Sequence, residues 1–305
     1  MNSNYIKGLV SVVMPTYKRF DKLPRAIESV LNQTYSTLEL LLVNDNDPDD
    51  KFTEYVKEIS KKYLSDTRFK LILQDKHING AVARNIAINH AKCEYIAFLD
   101  DDDWWEHNKL EEQVKTLNNL DNSWGGVSCK FKLYDINLNI IGKTRKYRDG
   151  YIYKDILFLQ SDVATSTLLL RRSALDETGY FDEKLLRNQD LQLLVFFTYK
   201  YKLMEVDKYL HCVDVSDAQN RPSGDKAVSV VNNFFKSVKP ILDTLTPSEL
   251  RTVKAIRNIE IAFVYFKECR YMMAMKYFIK VLKSPKAFHL SILKLINRHK
   301  TFSIR

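Results

Sequence analysis

Long hydrophobic runs are missing from this sequence of 305 residues. The longest unbroken apolar stretch, residues 261–266, is far shorter than the roughly 20 residues that a membrane-spanning helix needs. Glycine and proline are also scarce, with 8 and 7 residues, while 45% of the chain is hydrophobic and 28% is charged. This composition excludes a low-complexity chain and predicts a folded globular protein with a full core.

Paired cysteines are missing as well. The four cysteines are far apart and show none of the spacings that indicate a zinc site or a redox motif: Cys93, Cys129, Cys212 and Cys269. The apolar stretch at residues 10–14 is too short for the core of a secretory leader before Pro15 interrupts it. We therefore expect reduced, structural thiols in a cytoplasmic protein.

The positive charge is unevenly distributed. The whole chain carries a net charge of +9, but residues 225–305 contain 16 basic and 5 acidic residues, whereas residues 1–224 contain 31 basic and 33 acidic residues. The excess of positive charge therefore belongs to the C-terminal region.

The first 120 residues alternate β-type runs with helical patterns. Strands are predicted at residues 9–14, 38–43, 69–73 and 95–99. These runs lack the in-and-out alternation of half-exposed strands, as is typical of parallel strands that are covered on both faces. Asp21 is predicted to cap the first helix. The order βαβαβαβα predicts a doubly wound α/β sheet.

The pattern changes after about residue 125. Longer β segments, including residues 163–170, precede a helix at about residues 189–199. From Asp225 onward the pattern is wholly helical, with turns predicted at residues 246–248 and 284–285. We therefore expect an α/β domain over residues 1–224, divided into two halves near residue 120, and a basic helical region over residues 225–305.

Four consecutive aspartates follow the fourth predicted strand: Asp100, Asp101, Asp102 and Asp103. Ligands bind at the carboxyl ends of the strands in such sheets. Adjacent carboxylates repel one another and stay ionised only where cations or hydrogen-bond donors offset the repulsion. Oxygen ligands suit Mg²⁺ or Mn²⁺, which could bridge a diphosphate. The alternative is a solvated acidic turn that caps a helix near Glu106. Because four aspartates follow a buried strand, we favour a metal site.

Polar residues also follow the first two predicted strands. Pro15, Thr16 and Tyr17 stand after the first strand, and residues 44–47 after the second, where they could bind a base and ribose. The alternative is turn chemistry, which favours the same residue types. Arg84, near the start of the third helix, could contact an anionic ligand, although a lone helical arginine is more often a surface residue.

Together these segments resemble the family 2 glycosyltransferases, which are inverting enzymes of the GT-A fold, and in particular those of bacterial surface-polysaccharide assembly. The resemblance covers about residues 10–215 and rests on ordered motifs at residues 11–17, 26–35, 83–85, 98–103, 167–171 and 179–183. It implies a mostly parallel central sheet flanked by helices, with a C-terminal helical appendage. The implied reaction transfers a sugar from a nucleotide sugar, here a UDP-sugar, to a saccharide or lipid-linked saccharide acceptor.

The resemblance also implies a role for each matching donor-side residue. Asp45 reads the base, the loop from Pro15 through Thr16 to Tyr17 walls the base pocket, and Arg84 assists. The segment Asp100, Asp101 and Asp102 is similar to the DxD motif of the family, in which Asp101 serves the donor while Asp100 and Asp102 hold Mn²⁺ or Mg²⁺. Asn44 and Asn46 depart from the Asp and Gly that many members carry there.

On the acceptor side, residues 188–191 resemble the family segment whose aspartate is the catalytic base, which makes Asp190 the base here. A carboxylate in that position can accept the proton of the attacking hydroxyl, whereas the alternative is a helix N-cap. His211 lies slightly before the position where many relatives place a histidine, so a functional role and a core role are both open. The Gln-x-x-Arg-Trp signature of processive synthases is missing, which favours addition of a single sugar.

Two other classes of protein remain open. A sugar nucleotidyltransferase also binds nucleotides on an α/β sheet, but it would need a glycine-rich basic loop after the first strand, and residues 15–19 contain no glycine. A non-enzymatic module that binds membrane or nucleic acid would explain the basic region but not the four aspartates.

The basic region itself has two balanced interpretations. Lys276, Lys280 and Lys283 recur at helical spacing, as do Lys294 and Arg298, beside an apolar stripe at Ala274, Tyr277, Phe278 and Val281. Such a helix could bind an anionic membrane surface and place the enzyme peripherally on the inner face of the membrane. Alternatively, the lysines are merely solvated. Nucleic-acid binding is not expected, because no motif for it accompanies the charge.

Overall fold

The computed structural model describes residues 5–145, 147–216, 223–281, 284 and 288. Its first four strands form the parallel half of the sheet, in the order β3-β2-β1-β4. They are β1 (Ile6–Thr16), β2 (Leu38–Asn44), β3 (Phe69–Leu73) and β4 (Cys93–Phe98), and they alternate with α1 (Leu23–Leu31), α2 (Lys51–Ser60) and α3 (Gly80–His90). The predicted parallel α/β half is confirmed.

The second half adds mostly antiparallel pairs to the same sheet. The order continues from β4 through β8 (Leu169–Arg171), β6 (Trp124–Tyr134) and β9 (Lys202–Asp214) to β5 (Trp104–Trp105), and β7 (Ile140–Lys143) pairs with β6. Strand β8 is antiparallel to both β4 and β6, whereas β6 and β9 are parallel. The described sheet therefore combines a parallel half with a half whose strand pairs are mostly antiparallel.

Helices cover both faces of the sheet and continue into the C-terminal region. They are α4 (Lys109–Asn118), α5 (Tyr153–Leu157), α6 (Arg172–Thr178), α7 (Gln189–Lys200), α8 (Gly224–Ser237), α9 (Lys239–Leu242), α10 (Pro247–Lys267) and α11 (Tyr271–Val281). The predicted turn at residues 246–248 is the start of α10, where Thr246 and Glu249 form a capping box. The other predicted turn, at residues 284–285, includes Pro285, which lies outside the described residues.

The C-terminal helices share an apolar core with the sheet. Phe234 of α8 and Val253 of α10 are fully buried in the same cluster as Phe98 of β4 and Phe197 of α7. Removing this apolar surface from water stabilises the helices against the sheet. The division at residue 224 remains a prediction, and the core continues across it.

Two local predictions are wrong. Asp21 does not cap α1, because the N-cap position is Lys22 and no side chain there bonds the helix. Residues 163–170 are not one long strand, because residues Thr165–Thr167 form a short 3-10 helix. Three contacts hold that turn: Ser166 Oγ accepts from Asp100 N, Ser166 O accepts from Trp105 Nε1, and Thr167 O accepts from Gln113 Nε2. The β-branched residues of this segment favoured a strand, but these contacts hold residues Thr165–Thr167 in a helical turn instead.

The described cysteines are all free thiols, as expected. Cys93, Cys129 and Cys212 are buried, and Cys269 is exposed. No helix in the described part of the chain combines the length and the apolar character that crossing a bilayer requires.

Candidate active site

The site forms where β1, β2 and β4 end side by side. The register pairs Thr16 of β1 with Asn44 of β2, and Val13 of β1 with Phe98 of β4. Consequently Asp45 and the aspartates that follow β4 extend from the same edge of the sheet, where ligands bind in this class of fold. We refer to Asp100 through Asp103 as the acidic loop.

Asp101 ties the acidic loop to the loop after β1. Its carboxylate accepts hydrogen bonds from Thr16 Oγ1 at 2.7 Å, from Tyr17 N at 3.3 Å and from Arg19 Nε at 3.3 Å. Burial raises the pKa of Asp101 to about 6, against the opposing effect of Arg19 and Thr16. Asp101 thus brings Thr16 and Tyr17 next to the acidic loop.

Asp102 and Asp100 are the more exposed carboxylates of the acidic loop. Arg19 Nη2 donates to Asp102 Oδ2 at 2.8 Å, and Arg84 Nη2 donates to Asp100 Oδ1. Burial first, and then repulsion from the neighbouring aspartates, raises the pKa of Asp102 to about 7. Arg19 therefore offsets only part of the negative charge that the loop carries.

The chemistry of these two carboxylates fits a divalent cation. Oxygen donors suit Mg²⁺ and Mn²⁺, and such ions are often held by one or two carboxylates together with substrate phosphates. No group of three or more His, Cys, Asp or Glu side chains in the described residues could hold a metal by itself. Asp100 and Asp102 are therefore candidate ligands that would need other groups, such as substrate phosphates, to hold a divalent cation.

The alternative interpretation of the acidic loop as a helix cap is wrong. Strand β5 separates the loop from α4, whose N-cap is Asn108. Asp103 instead faces the sheet, where it accepts from Asp214 N at 3.0 Å. His211 is fully buried on β9, and its Nε2 lies 3.1 Å from Asp103 Oδ2, outside hydrogen-bond geometry. His211 thus occupies a core position beneath the acidic loop.

Asp45 follows directly after β2. It is buried and accepts from Gln74 Nε2 at 3.0 Å and from Ile78 N at 3.2 Å. Burial raises the pKa of Asp45, and the contacts with Ile78 and His77 oppose the shift. The His77 ring stacks on Tyr17, with 4.0 Å between the centroids and 15° between the planes. Asp45 is therefore next to a stacked aromatic pair that could face a planar base.

Asn44 and Asn46 hold the turn that carries Asp45. Asn46 Nδ2 donates to Asn44 Oδ1 at 2.7 Å, Asn44 Nδ2 donates to Thr53 Oγ1 at 2.8 Å, and Lys18 N donates to Asn46 Oδ1 at 2.8 Å. Both amides are buried. Turn chemistry therefore accounts for these two positions.

Arg84 pairs with Asp100 of the acidic loop, and Asp190 lies within electrostatic reach of both. Arg84 projects from α3 to Asp100, and a Cβ at Gly80 would lie 2.9 Å from Arg84 Nη1, so the glycine leaves room for this arginine. Asp190 is the second residue of α7. Burial raises the pKa of Asp190, Arg84 opposes the shift, and Asp100 adds to it. The three charges therefore interact electrostatically.

Asp190 does not cap its helix. The N-cap position of α7 is Asn188, which adopts φ 61° and makes no side-chain cap bond. The side chain of Asp190 instead lines a cavity of about 460 Å³ that extends toward α8 and α10. The structure thus leaves Asp190 available to a ligand in that cavity.

A cluster that no local sequence pattern indicates fixes the acidic loop to α1. Arg25 Nη2 donates to the carbonyl of Asp102 at 3.0 Å and to Asp214 Oδ2 at 2.9 Å, and its guanidinium lies 4.0 Å from the centre of the Trp104 ring. Lys22 Nζ is 3.0 Å from Asp214 Oδ1. Asp214 is 189 residues from Arg25, so no local spacing signals the pair.

Comparison with known proteins finds relatives that are named as glycosyltransferases. Residues 11–179 match the family described as glycosyl transferase family 2. The chain is 32% identical over 228 residues to an uncharacterised glycosyltransferase of Methanocaldococcus jannaschii, with 67% of this chain and 74% of that protein covered. It is also 37% identical over 139 residues to the UDP-Glc:alpha-D-GlcNAc-diphosphoundecaprenol beta-1,3-glucosyltransferase WfgD of Escherichia coli, with 44% of this chain and 50% of that protein covered.

A solved structure has a similar fold. The mannosyltransferase PcManGT from Pyrobaculum calidifontis, in complex with GDP-Man and Mn²⁺, superimposes with a TM-score of 0.59 at 17% sequence identity. The similarity covers 96% of this chain and 81% of that protein.

Proposed function

The chain belongs to glycosyl transferase family 2 and has the GT-A fold, and from this premise we propose that it transfers a single sugar from a UDP-sugar to an acceptor hydroxyl with inversion. The observation that carries the proposal is the pairing of Arg84 with Asp100 within electrostatic reach of Asp190. In the proposal Asp190 is the proton acceptor, Arg84 is the cation near the donor, and Asp100 is one of the metal ligands.

The donor half would bind the nucleotide. A ring N–H of uracil can donate to the buried carboxylate of Asp45, and the base can lie against the stacked pair of Tyr17 and His77. The Escherichia coli relative is named as a UDP-Glc enzyme, which supports a UDP-sugar. Guanine also presents N–H donors, and PcManGT was solved with GDP-Man, so the test below includes both nucleotides.

The reaction would be one displacement at the anomeric carbon. The acceptor oxygen forms a bond to that carbon while the bond to the donor phosphate breaks, and the acceptor proton moves to the Asp190 carboxylate. A single displacement inverts the configuration. The raised pKa of Asp190 makes its carboxylate a better proton acceptor than an exposed aspartate. A divalent cation, when bound, supplies positive charge that offsets the charge of the leaving diphosphate.

The donor preference is tested by a screen of nucleotide sugars. Purified protein with Mn²⁺ or Mg²⁺ should release UDP from at least one UDP-sugar, and the screen also contains GDP-mannose. Asp45→Ala should weaken UDP binding by about tenfold or more because a buried carboxylate partner is lost. Asp49→Ala changes an exposed aspartate of the same loop and should bind UDP normally. Release of GDP alone would contradict the UDP proposal.

We also propose that α10 and α11 rest on an anionic membrane, where a lipid-linked saccharide acceptor would be found. Large apolar side chains are exposed on these two helices: Phe263, Phe266, Tyr271, Met272, Met275, Phe278 and Ile279. We call this set the apolar face. Lys267, Lys276 and Lys280 are exposed within it, and Lys267 Nζ lies 4.7 Å from the centre of the Phe263 ring.

Apolar side chains beside lysines match the chemistry of a lipid interface. The apolar groups enter the acyl boundary while the lysines remain at the phosphate level. The acceptor in the name of the Escherichia coli relative is a sugar on diphosphoundecaprenol, which supports a lipid-linked acceptor. On this proposal residues 1–224 carry out the transfer, with the donor bound by about residues 1–120. Residues 225–305 would then hold the enzyme at the inner face of the membrane.

The membrane proposal predicts a defined binding defect. The triple variant Met272→Gln, Met275→Gln and Phe278→Gln should reduce partitioning onto anionic phospholipid vesicles by about tenfold or more, because three apolar anchors are lost. Ile136→Gln removes an equally exposed apolar side chain at the turn between β6 and β7 and serves as the control. Vesicle sedimentation measures both. Wild-type binding should weaken at high salt, and equal binding to neutral vesicles would contradict the role of the lysines.

A further inference from the structure

The cavity beside Asp190 has an unusual side chain in its wall. Arg257 lies in the middle of α10 and lines the cavity together with Asp190, Ala227 and Ile261. The Arg257 side chain is only 4% exposed. A guanidinium carries five N–H donors and stays charged at all physiological pH values, so a buried one needs several acceptors.

Arg257 lacks most of these acceptors. Its Nη1 donates to Glu260 Oε2 at 2.8 Å, but within the described residues Nε and Nη2 have no hydrogen-bond acceptor. The guanidinium carbon lies 5.0 Å from the centre of the Phe234 ring. Glu260 is 44% exposed, so this one carboxylate can turn to solvent and leave the arginine.

Another buried arginine of this protein shows what a structural role requires. Arg172 donates from Nη1 to the carbonyl of Ile88, from Nε to Asp176 and from Nη2 to Tyr180 Oη. Every nitrogen of that guanidinium therefore has a partner. Arg257 differs because its unpaired donors are next to a cavity, and unsatisfied buried donors are costly unless a ligand completes them.

We propose that Arg257 binds an anionic group of the acceptor, a phosphate or a carboxylate, while Asp190 faces the attacked hydroxyl in the same cavity. The proposal rests on the transfer reaction proposed above. The planar fork of a guanidinium matches two oxygens of either group. The cavity wall also contains one further cation, Arg187, and the carboxylate of Asp162, both of which are exposed. The acceptor class is thus a saccharide that carries a phosphate, as in a lipid linkage, or a uronic acid.

Thermal unfolding with two probe anions tests this assignment. Saturating UDP is added first to occupy the donor site, and then about 10 mM inorganic pyrophosphate or glucuronate is added. A site with millimolar affinity should raise the Tm of the wild-type chain by about 2 °C. Arg257→Met should abolish that shift. Arg251→Met, which replaces an exposed arginine of the same helix, should retain it.

The variants also separate binding from folding. Without any anion, the Tm of Arg257→Met should equal or exceed that of the wild type, because unpaired buried donors are removed. If this variant does not fold, Glu260→Ala provides the second measurement, since it removes the acceptor of Nη1 and should enlarge the shift. A shift with pyrophosphate alone supports a phosphate, and a shift with glucuronate alone supports a carboxylate.

Two results would overturn the assignment: no shift of the wild type with either anion, or equal shifts in wild type and Arg257→Met. The donor proposal fails separately, when UDP alone does not raise the Tm. An anion response that depends on Arg257 would stand in that case, because it is measured against Arg257→Met.

Discussion

Asp190→Asn is expected to lower turnover by roughly 10²-fold or more, the scale of a lost general base. The substitution keeps the size of the side chain and removes its ability to accept the proton of the acceptor. Affinity for the UDP-sugar should change little, because Asp190 lines the cavity toward α8 and α10 and is not among the contacts of Asp45. Steady-state kinetics with saturating donor separate the two effects.

The control for this variant is Asp225→Asn. Asp225 is the second residue of α8, as Asp190 is of α7, so both substitutions remove one negative charge from the first turn of a helix. Asp225 also accepts from Tyr265 Oη and Arg270 Nη1, so Asp225→Asn should lose some stability but keep wild-type turnover. Wild-type turnover in Asp190→Asn would make Asp190 a structural residue and would remove the proposed base.

Removal of the metal is expected to have an effect of similar size. EDTA should stop the transfer, and Mn²⁺ or Mg²⁺ should restore it. Asp102→Ala should reduce turnover by roughly 10²-fold or more even in excess metal, because one of the two proposed metal ligands is lost. The control Asp121→Ala removes an exposed aspartate before β6. Full activity of wild type in EDTA, together with normal activity of Asp102→Ala, would exclude the metal role.

The raised pKa of Asp102 predicts how the metal requirement should change with pH. A metal binds the ionised carboxylate, and the pKa of Asp102 is raised to about 7 in the metal-free protein. The concentration of Mn²⁺ that gives half-maximal activity should therefore rise as the pH falls from about 8 to about 6, and titrations across that range measure it. An unchanged requirement would place the ion on other ligands.

Much of the donor half could be predicted from the sequence, because its signals are local. The strand at Phe69–Leu73 is where the apolar run places it, and the carboxyl ends of β1, β2 and β4 bring Asp45 and Asp101 to one edge. In a parallel sheet, motifs that are far apart in sequence meet at the carboxyl ends of the strands. The order of the strands and helices is therefore enough to predict that these aspartates lie at one edge.

The missed residues depend on contacts that sequence spacing does not encode. His77 follows β3 by four residues, and it joins the proposed base site only because its ring stacks on Tyr17. Arg25 and Asp214 are near opposite ends of the α/β region in sequence, and only the fold brings them together. The unpaired donors of Arg257 become visible only once α10 packs beside α8 and α7. These features arise from tertiary packing, which overrides local propensity.

The C-terminal helices are not an independent folding unit, because Phe234 and Val253 are buried in one cluster with residues of β4 and α7. They therefore cannot be exchanged as a block between relatives. A foreign helical region would leave unfilled volume against β4 and α7, and such cavities are costly. Divergence of acceptor choice in this lineage is therefore expected to proceed by substitutions on the solvent and cavity faces of α8, α10 and α11. The inner faces of the same helices would meanwhile remain constrained by the core of the enzyme.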